Sequence, residues 1–376
     1  MDRFRNLLLP LATVALFVAG ATPGFAENTR YKQTNLVSND SSIPAAFHDS
    51  NLVNPWGIVF NPTAFVWIAD NGTGRSTLYD GTGKPSPQPP LIVQIPSGKD
   101  VYDPPGNPTG IVFNGSTTDF AVNGASTPFI FATEDGIIAA WAPAIDLHKA
   151  QFVLQTPGAV YKALALTGNG KGHFLYAADL FNGKIDVFDS AFKPVDTTGR
   201  FVDPALPPGF APFNITAIQG DLYVTYAFHK AGEHDETAGP GLGIVDVYDA
   251  DGNLVRRVAK GGKLNAPWGV ALAPANFGKH SNRLLVGNFG DGAINVFDAH
   301  NGTFKGQLRD SSGKVLKIDG LWGLQFGNGV LEQKTSTLYF TAGPEDESKG
   351  LYGSLTPIPG PPGKHDDDDD QGDDGD

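Results

Sequence analysis

Short apolar runs of four to seven residues, separated by Gly, Asp, Asn and Pro, occupy the chain from about residue 34 to 358. No stretch keeps the 3.6-residue period of an amphipathic helix. Segments such as KIDVFD (184–189) and AINVFD (293–298) alternate apolar and polar positions, the period of a half-buried strand. NPWGIVF (54–60) recurs as NPTGIVF (107–113), APWGVAL (266–272) and GLWGLQF (320–326). Gly57 and Gly110 are 53 residues apart, Gly110 and Gly269 are 159 apart, and Gly269 and Gly323 are 54 apart. The gap of three periods predicts two degenerate copies, read as VYKALAL (160–166) and FNITAI (213–218).

Each copy carries further apolar runs. The second runs are WIAD (67–70), FATE (131–134), YAAD (176–179), YVTY (223–226), LVGN (285–288) and YFTA (339–342). The third are STLYDG (76–81), IIAAWA (137–142), KIDVFD, IVDVYD (244–249), AINVFD and GLYGSL (350–355). LIVQI (91–95), FVLQ (152–155), RFVD (200–203), LVRRVA (254–259) and FKGQL (304–308) read as fourth strands. Four strands per 53-residue unit, six times over, predict an all-β, six-bladed β-propeller. The sixth unit lacks a fourth strand and TNLVS (34–38) lacks a unit, so the leading strand is expected to close the ring and hide its edge.

The segments ADNGTGRSTLYDG (69–81), AADLFNGKIDVFD (177–189), VGNFGDGAINVFD (286–298) and APWGVALAP (266–274) resemble NHL repeats. Through NLVNPWGIVFNP (51–62) and HDETAGPGLGIVDVYD (234–249), the chain resembles a family of exported, uncharacterised NHL-like propellers over most of residues 33–358. The resemblance implies fold more than chemistry. Six-bladed relatives include metal-dependent lactonases, peptidylglycine lyases and plain binding modules.

In a propeller, loops leading into first strands and loops joining second to third strands share one face, the top. Asp70, Glu134, Asp179 and Asn288 end second strands, with Tyr226 and Ala342 at the same place in units four and six. Carboxylates and an amide suit an oxygen-ligated cation, and Ca²⁺ is the candidate cofactor. The same residues could instead cap turns through backbone N–H groups. Trp56, Thr109, Lys162, Ile215, Trp268 and Trp322 precede the repeat glycine or its counterpart. The three Trp, in neighbouring units, would line one side of the mouth, to stack a ligand or to pack blade on blade; Lys162, His229 and His234 are further candidate ligand contacts. Unit four carries an insertion, FHKAGEHDETAGPG (228–241). It is expected on the top face, as a lid or as a solvated flap. His229, Glu233, His234, Asp235 and Glu236 lie in it, residue types that also suit a transition metal; their spacing matches no zinc signature.

Composition narrows the possibilities. With 47 Gly, 29 Pro and no Cys in 376 residues, disulfides and thiol chemistry are excluded. No GxSxG elbow or phosphate-binding lysine loop occurs. The net charge is −13, and eight Asp of it fall in residues 366–376. No basic run offers itself to nucleic acid. Residues 1–26, with Arg3 and Arg5, the apolar stretch 7–19 and small residues before Glu27, read as a cleaved signal peptide. The chain is therefore expected to be secreted or periplasmic, monomeric, with no membrane span, a propeller over 33–358 and an acidic tail over 359–376. The reading is a binding or scaffold protein for a small molecule, glycan or protein at the channel mouth. The alternative is a metal-dependent hydrolase or lyase of the lactonase-like kind.

Overall fold

The computed structural model describes residues 28–360; the segment read as a signal peptide and nearly all of the segment read as an acidic tail lie outside them. The strands form six separate sheets arranged as a propeller. Blade one holds Pro55–Phe60, Val66–Asp70, Arg75–Tyr79 and Ile92–Gln94. Blade two holds Pro108–Phe113, Phe129–Thr133, Ile137–Trp141 and Gln151–Gln155. Blade three holds Tyr161–Gly168, His173–Asp179, Lys184–Phe188 and Pro194–Val195. Blade four holds Phe210–Ile218, Asp221–His229, Ile244–Tyr248 and Leu254–Lys260. Blade five holds Pro267–Leu272, Arg283–Asn288, Ile294–Asp298 and Phe304–Gln307.

Blade six closes the ring from both chain ends. Its order is Leu321–Phe326, Leu338–Ala342, Leu351–Ile358, Arg30–Ser38 and the short Phe47–His48. The leading strand pairs antiparallel with the last, with Thr34 opposite Ser354. Tyr31 is buried and donates its hydroxyl hydrogen to the Phe277 carbonyl of blade five, so closure also ties the two neighbouring blades.

Two expectations change. RFVD (200–203) is not a strand; Pro194–Val195 takes that place, and Phe201 instead packs outside, against Tyr176 and Tyr248. The second feature is a β-bulge in the first strand of every blade. Ladder pairing skips between Pro55 and Ile58, Pro108 and Ile111, Tyr161 and Ala163, Pro212 and Asn214, Pro267 and Val270, and Leu321 and Leu324. This register makes Phe213, not Ile215, the blade-four counterpart of Trp56. Asn214 stands where four blades have glycine and blade three has Ala163, which hid the alignment.

The glycines have a packing reason. A Cβ on Gly110 would lie 2.3 Å from the Leu164 nitrogen, on Gly269 2.5 Å from the Trp322 carbonyl, and on Gly323 2.7 Å from the Trp56 carbonyl. Neighbouring blades thus meet backbone to backbone at the bulge, where a side chain does not fit. Asn214 uses its own side chain for the junction, donating to the Trp268 carbonyl.

Candidate functional site

A bulge re-aims the extra residue, and here it sends six side chains into the upper channel. Trp56 stacks on Trp322 at 3.7 Å, and Trp268 meets both edge-on at 6.2 and 5.7 Å. Phe289 stacks on the far side of Trp322 at 4.1 Å, and Phe213 lies 5.8 Å away. All three Trp are buried. They form an aromatic plug rather than an open stacking wall. Two indole N–H groups are used inside it: Trp322 donates to Asn54 Oδ1 and Trp268 to the Lys162 carbonyl. Trp56 Nε1 is buried with no hydrogen-bond partner. Below the plug, the first strands line a cavity of about 510 Å³ whose walls mix polar backbone with side chains such as Ile58, Phe113 and Leu272.

Lys162 completes the bulge ring as its one cation. Its side chain is 1% exposed, and Nζ lies 5.2 Å from the centre of a Trp56 ring. It donates to Glu134 Oε1 at 2.6 Å and to Asp235 Oδ1 at 2.9 Å. Burial opposes the Lys162 charge, but Glu134, Glu236 and Asp235 outweigh it and raise its pKa, so it stays protonated. Glu134 Oε2 accepts from Asn71, Asn71 Oδ1 accepts from Asn54, and Asn54 donates at 2.6 Å to Glu347 Oε2.

The carboxylates come from alternate blades. Glu134 follows the second strand of blade two, Asp235 and Glu236 belong to the blade-four insertion, and Glu347 sits in the corresponding loop of blade six. The insertion is built into the sheet: Glu236–Thr237 pairs with the second strand through His229 and Phe228. Gly239 then donates to Asn265 of blade five. The loop carrying Glu347 is held unusually, because Glu345, Asp346 and Glu347 all have left-handed φ of 56°, 50° and 65°. Such residues cost about 1–3 kcal/mol each and gather at functional sites. Burial pushes the Glu236 carboxyl up to about 7, partly offset by Lys162. Burial also raises Glu347, and Glu134 and Asp235 add to the effect. Glu134 and Asp235 remain 26% and 79% exposed, so the cluster opens to solvent.

The four expected cation ligands do not converge. Asp179 accepts from Val160 N, Asn182 N and Asn182 Nδ2. Asn288 accepts from Asn265 N and Asn295, and donates to the Lys263 carbonyl and Asp291. Both therefore cap their own turns. Asp70 is fully buried with both carboxylate oxygens unbonded among the described residues, and burial pushes its carboxyl well above the usual range. Only Glu134 reaches the mouth. Among the described residues no group of three or more His, Asp or Glu is arranged to hold a metal ion. His229 bonds to the Glu233 carbonyl, and His234 meets Phe181 edge-on at 5.0 Å. His234 is exposed on the insertion, and His229 is half-buried at the end of the second strand. Glu347, Asn54 and Asn71 escaped the sequence reading. Glu347 was within reach, since PEDES (344–348) follows YFTA where Glu134 follows its own second strand.

No protein-family model matches the sequence. Two uncharacterised proteins of Acanthamoeba polyphaga mimivirus do. R648 is 35% identical over 341 residues, covering 87% of this chain and 80% of R648. L690 is 34% identical over 342 residues, covering 86% and 85%. The chain belongs to the family of R648 and L690. Among solved structures, virginiamycin B lyase from Staphylococcus aureus matches with TM-score 0.51 and 16% identity, over 88% of this chain and all of that one. A streptogramin B lyase matches with TM-score 0.52 and 14% identity, over 88% and 98%. A Bacteroides thetaiotaomicron protein of unknown function matches with TM-score 0.54 and 10% identity, over 88% and 76%. At these identities the likeness shows the propeller fold of this chain alone. Among its described residues this member has no helix long and apolar enough to cross a membrane.

Proposed function

We propose that this is a binding protein whose ligand sits in the top mouth of the propeller, above the Trp plug. One observation carries this reading. Four carboxylates, from three loops that span 213 positions of sequence, act on the buried Lys162, and two of them, Glu134 and Asp235, stay open to solvent. Closing a ring does not need such a network. A desolvated lysine with several acids costs more than apolar packing would, and strained backbone holds Glu347 in place. Partly desolvated charged groups set against aromatic side chains are the kind of convergent polar groups that orient a ligand.

A second reading, acid–base catalysis, rests on Glu236. A carboxyl near 7 beside a fixed cation can exchange a proton at neutral pH. The lyases of similar fold agree with that possibility but do not carry it. The leader features of residues 1–26 support a site of action outside the cytoplasm.

A thermal-shift screen of a chemically mixed metabolite set, run on the intact chain and on Glu134→Gln and Glu347→Gln variants, tests the reading. Stabilising compounds should lose their effect in both variants. Compounds that stabilise the variants as well as the parent would place the ligand elsewhere and overturn the proposal.

A further inference from the structure

We infer that the lower channel, beneath the Trp plug, is a second binding site. Its ligand class is an uncharged small molecule with an apolar body and a carbonyl or hydroxyl on one edge.

The cavity there holds about 510 Å³, within the roughly 300–1,000 Å³ of small-molecule sites. Trp268 and the repeat glycines lie at its upper end. Among the described residues that line it, none carries a charged side chain. An ion entering it would lose hydration and meet no counter-charge. The channel and the acid-ringed Lys162 above the plug therefore favour opposite kinds of ligand. The polarity of the channel comes from neutral groups instead. Each first strand ends its sheet and pairs on one side only, so a free edge of N–H and C=O groups is left toward the axis.

The walls depart from sixfold symmetry. Two positions after each repeat glycine or its counterpart stand Val59, Val112, Ala165, Thr216, Ala271 and Gln325. Thr216 and Gln325 are the polar exceptions, on blades four and six with the small Ala271 of blade five between them. The Thr216 hydroxyl accepts from Asn214 Nδ2 at 3.2 Å and donates to no described residue. Gln325 is half-buried, and its amide bonds to no described residue. One position further along, the neighbouring blades six, one and two carry Phe326, Phe60 and Phe113, whereas blade four carries only Ala217. One side of the channel is thus aromatic, and the other is small and polar. A molecule of this shape meets the Phe side with its apolar body and offers an acceptor to Thr216 or Gln325. Water satisfies the strand edges but leaves the Phe side hydrated, which costs free energy that an apolar body recovers.

Two uncharged dyes test this, prodan (a naphthalene bearing a ketone) and Nile red, against the anionic naphthalene sulfonate TNS. The emission of all three rises or moves to the blue in apolar surroundings. With the intact chain, prodan and Nile red should give saturable, blue-shifted emission, and TNS should bind about tenfold more weakly. Ala217→Phe copies blades one, two and six and should abolish dye binding with the melting temperature kept. If that variant does not fold, Ala217→Leu, which copies blades three and five, takes its place. Thr216→Val and Gln325→Leu should each weaken prodan about threefold to tenfold. TNS binding as tightly as prodan, and lost with the larger residue at 217, would overturn the uncharged class and leave the channel as the site. Dye binding unchanged by the substitutions at 217, or lost in Glu134→Gln, would put the dyes elsewhere and overturn the site. Failure of both uncharged dyes to bind the parent would leave the channel to water and overturn the inference, while the reading of the mouth would stand.

Discussion

The two ends of the axial channel are walled by the same six strands and differ in almost everything else. At the top, the bulged residues are Trp56, Thr109, Lys162, Phe213, Trp268 and Trp322, and the axis is packed shut and charged. Toward the bottom, after the bulge, regular alternation returns. Side chains then point between blades, and a cavity of about 510 Å³ is left. One irregularity per blade thus decides where chemistry can be placed. The repeat supplies six equivalent aimed positions, and what stands at each is free to vary without touching the sheets.

That contrast can be attacked directly. The largest effect is expected from Trp322→Ala, which empties the centre of the plug. It should cost about 3–5 kcal/mol in denaturant unfolding, whereas Ile218→Val on the lower channel should cost about 0.5–1.5 kcal/mol at most. Equal costs would mean that the plug is not the keystone of the ring. Next comes Gly110→Ala. The added Cβ meets blade-three backbone at 2.3 Å, and overpacking of this kind costs about 1–3 kcal/mol. If the melt is unchanged, the blades are not in backbone contact at the bulge.

The smallest effect is on pH dependence. Glu236 titrates near 7 in the folded chain against 4.5 ordinarily. The folded state then holds more protons than the unfolded one between these values, so this group's contribution to stability falls as pH rises from 4.5 to 7. Glu236→Gln should flatten that part of the stability profile and raise the melting temperature above pH 7. A profile identical to the parent's in this window would show that Glu236 is not held in a desolvated, acid-rich setting.

Much of this was legible in the chain. The 53-residue recurrence of glycine and the alternation in IDVFD and INVFD required six sheets, and the unmatched strand 34–38 required closure from the N-terminal side. Local pattern fixes these features because strand period and turn chemistry are local physics. The repeat also marks the positions of Lys162 and the three Trp in the first strands. Asp70, Asp179 and Asn288 were misleading for a clear reason. The sequence shows that a carboxylate or amide ends a strand, but its direction depends on pleat parity and nearby N–H groups. Two of the three turn back to cap, and the third is fully buried with its oxygens unbonded among the described residues. The meeting of Glu134, Asp235, Glu236 and Glu347 around one lysine belongs to tertiary structure alone. Those residues lie up to 213 positions apart, and only the angular spacing of the blades sets which loops face each other across the axis.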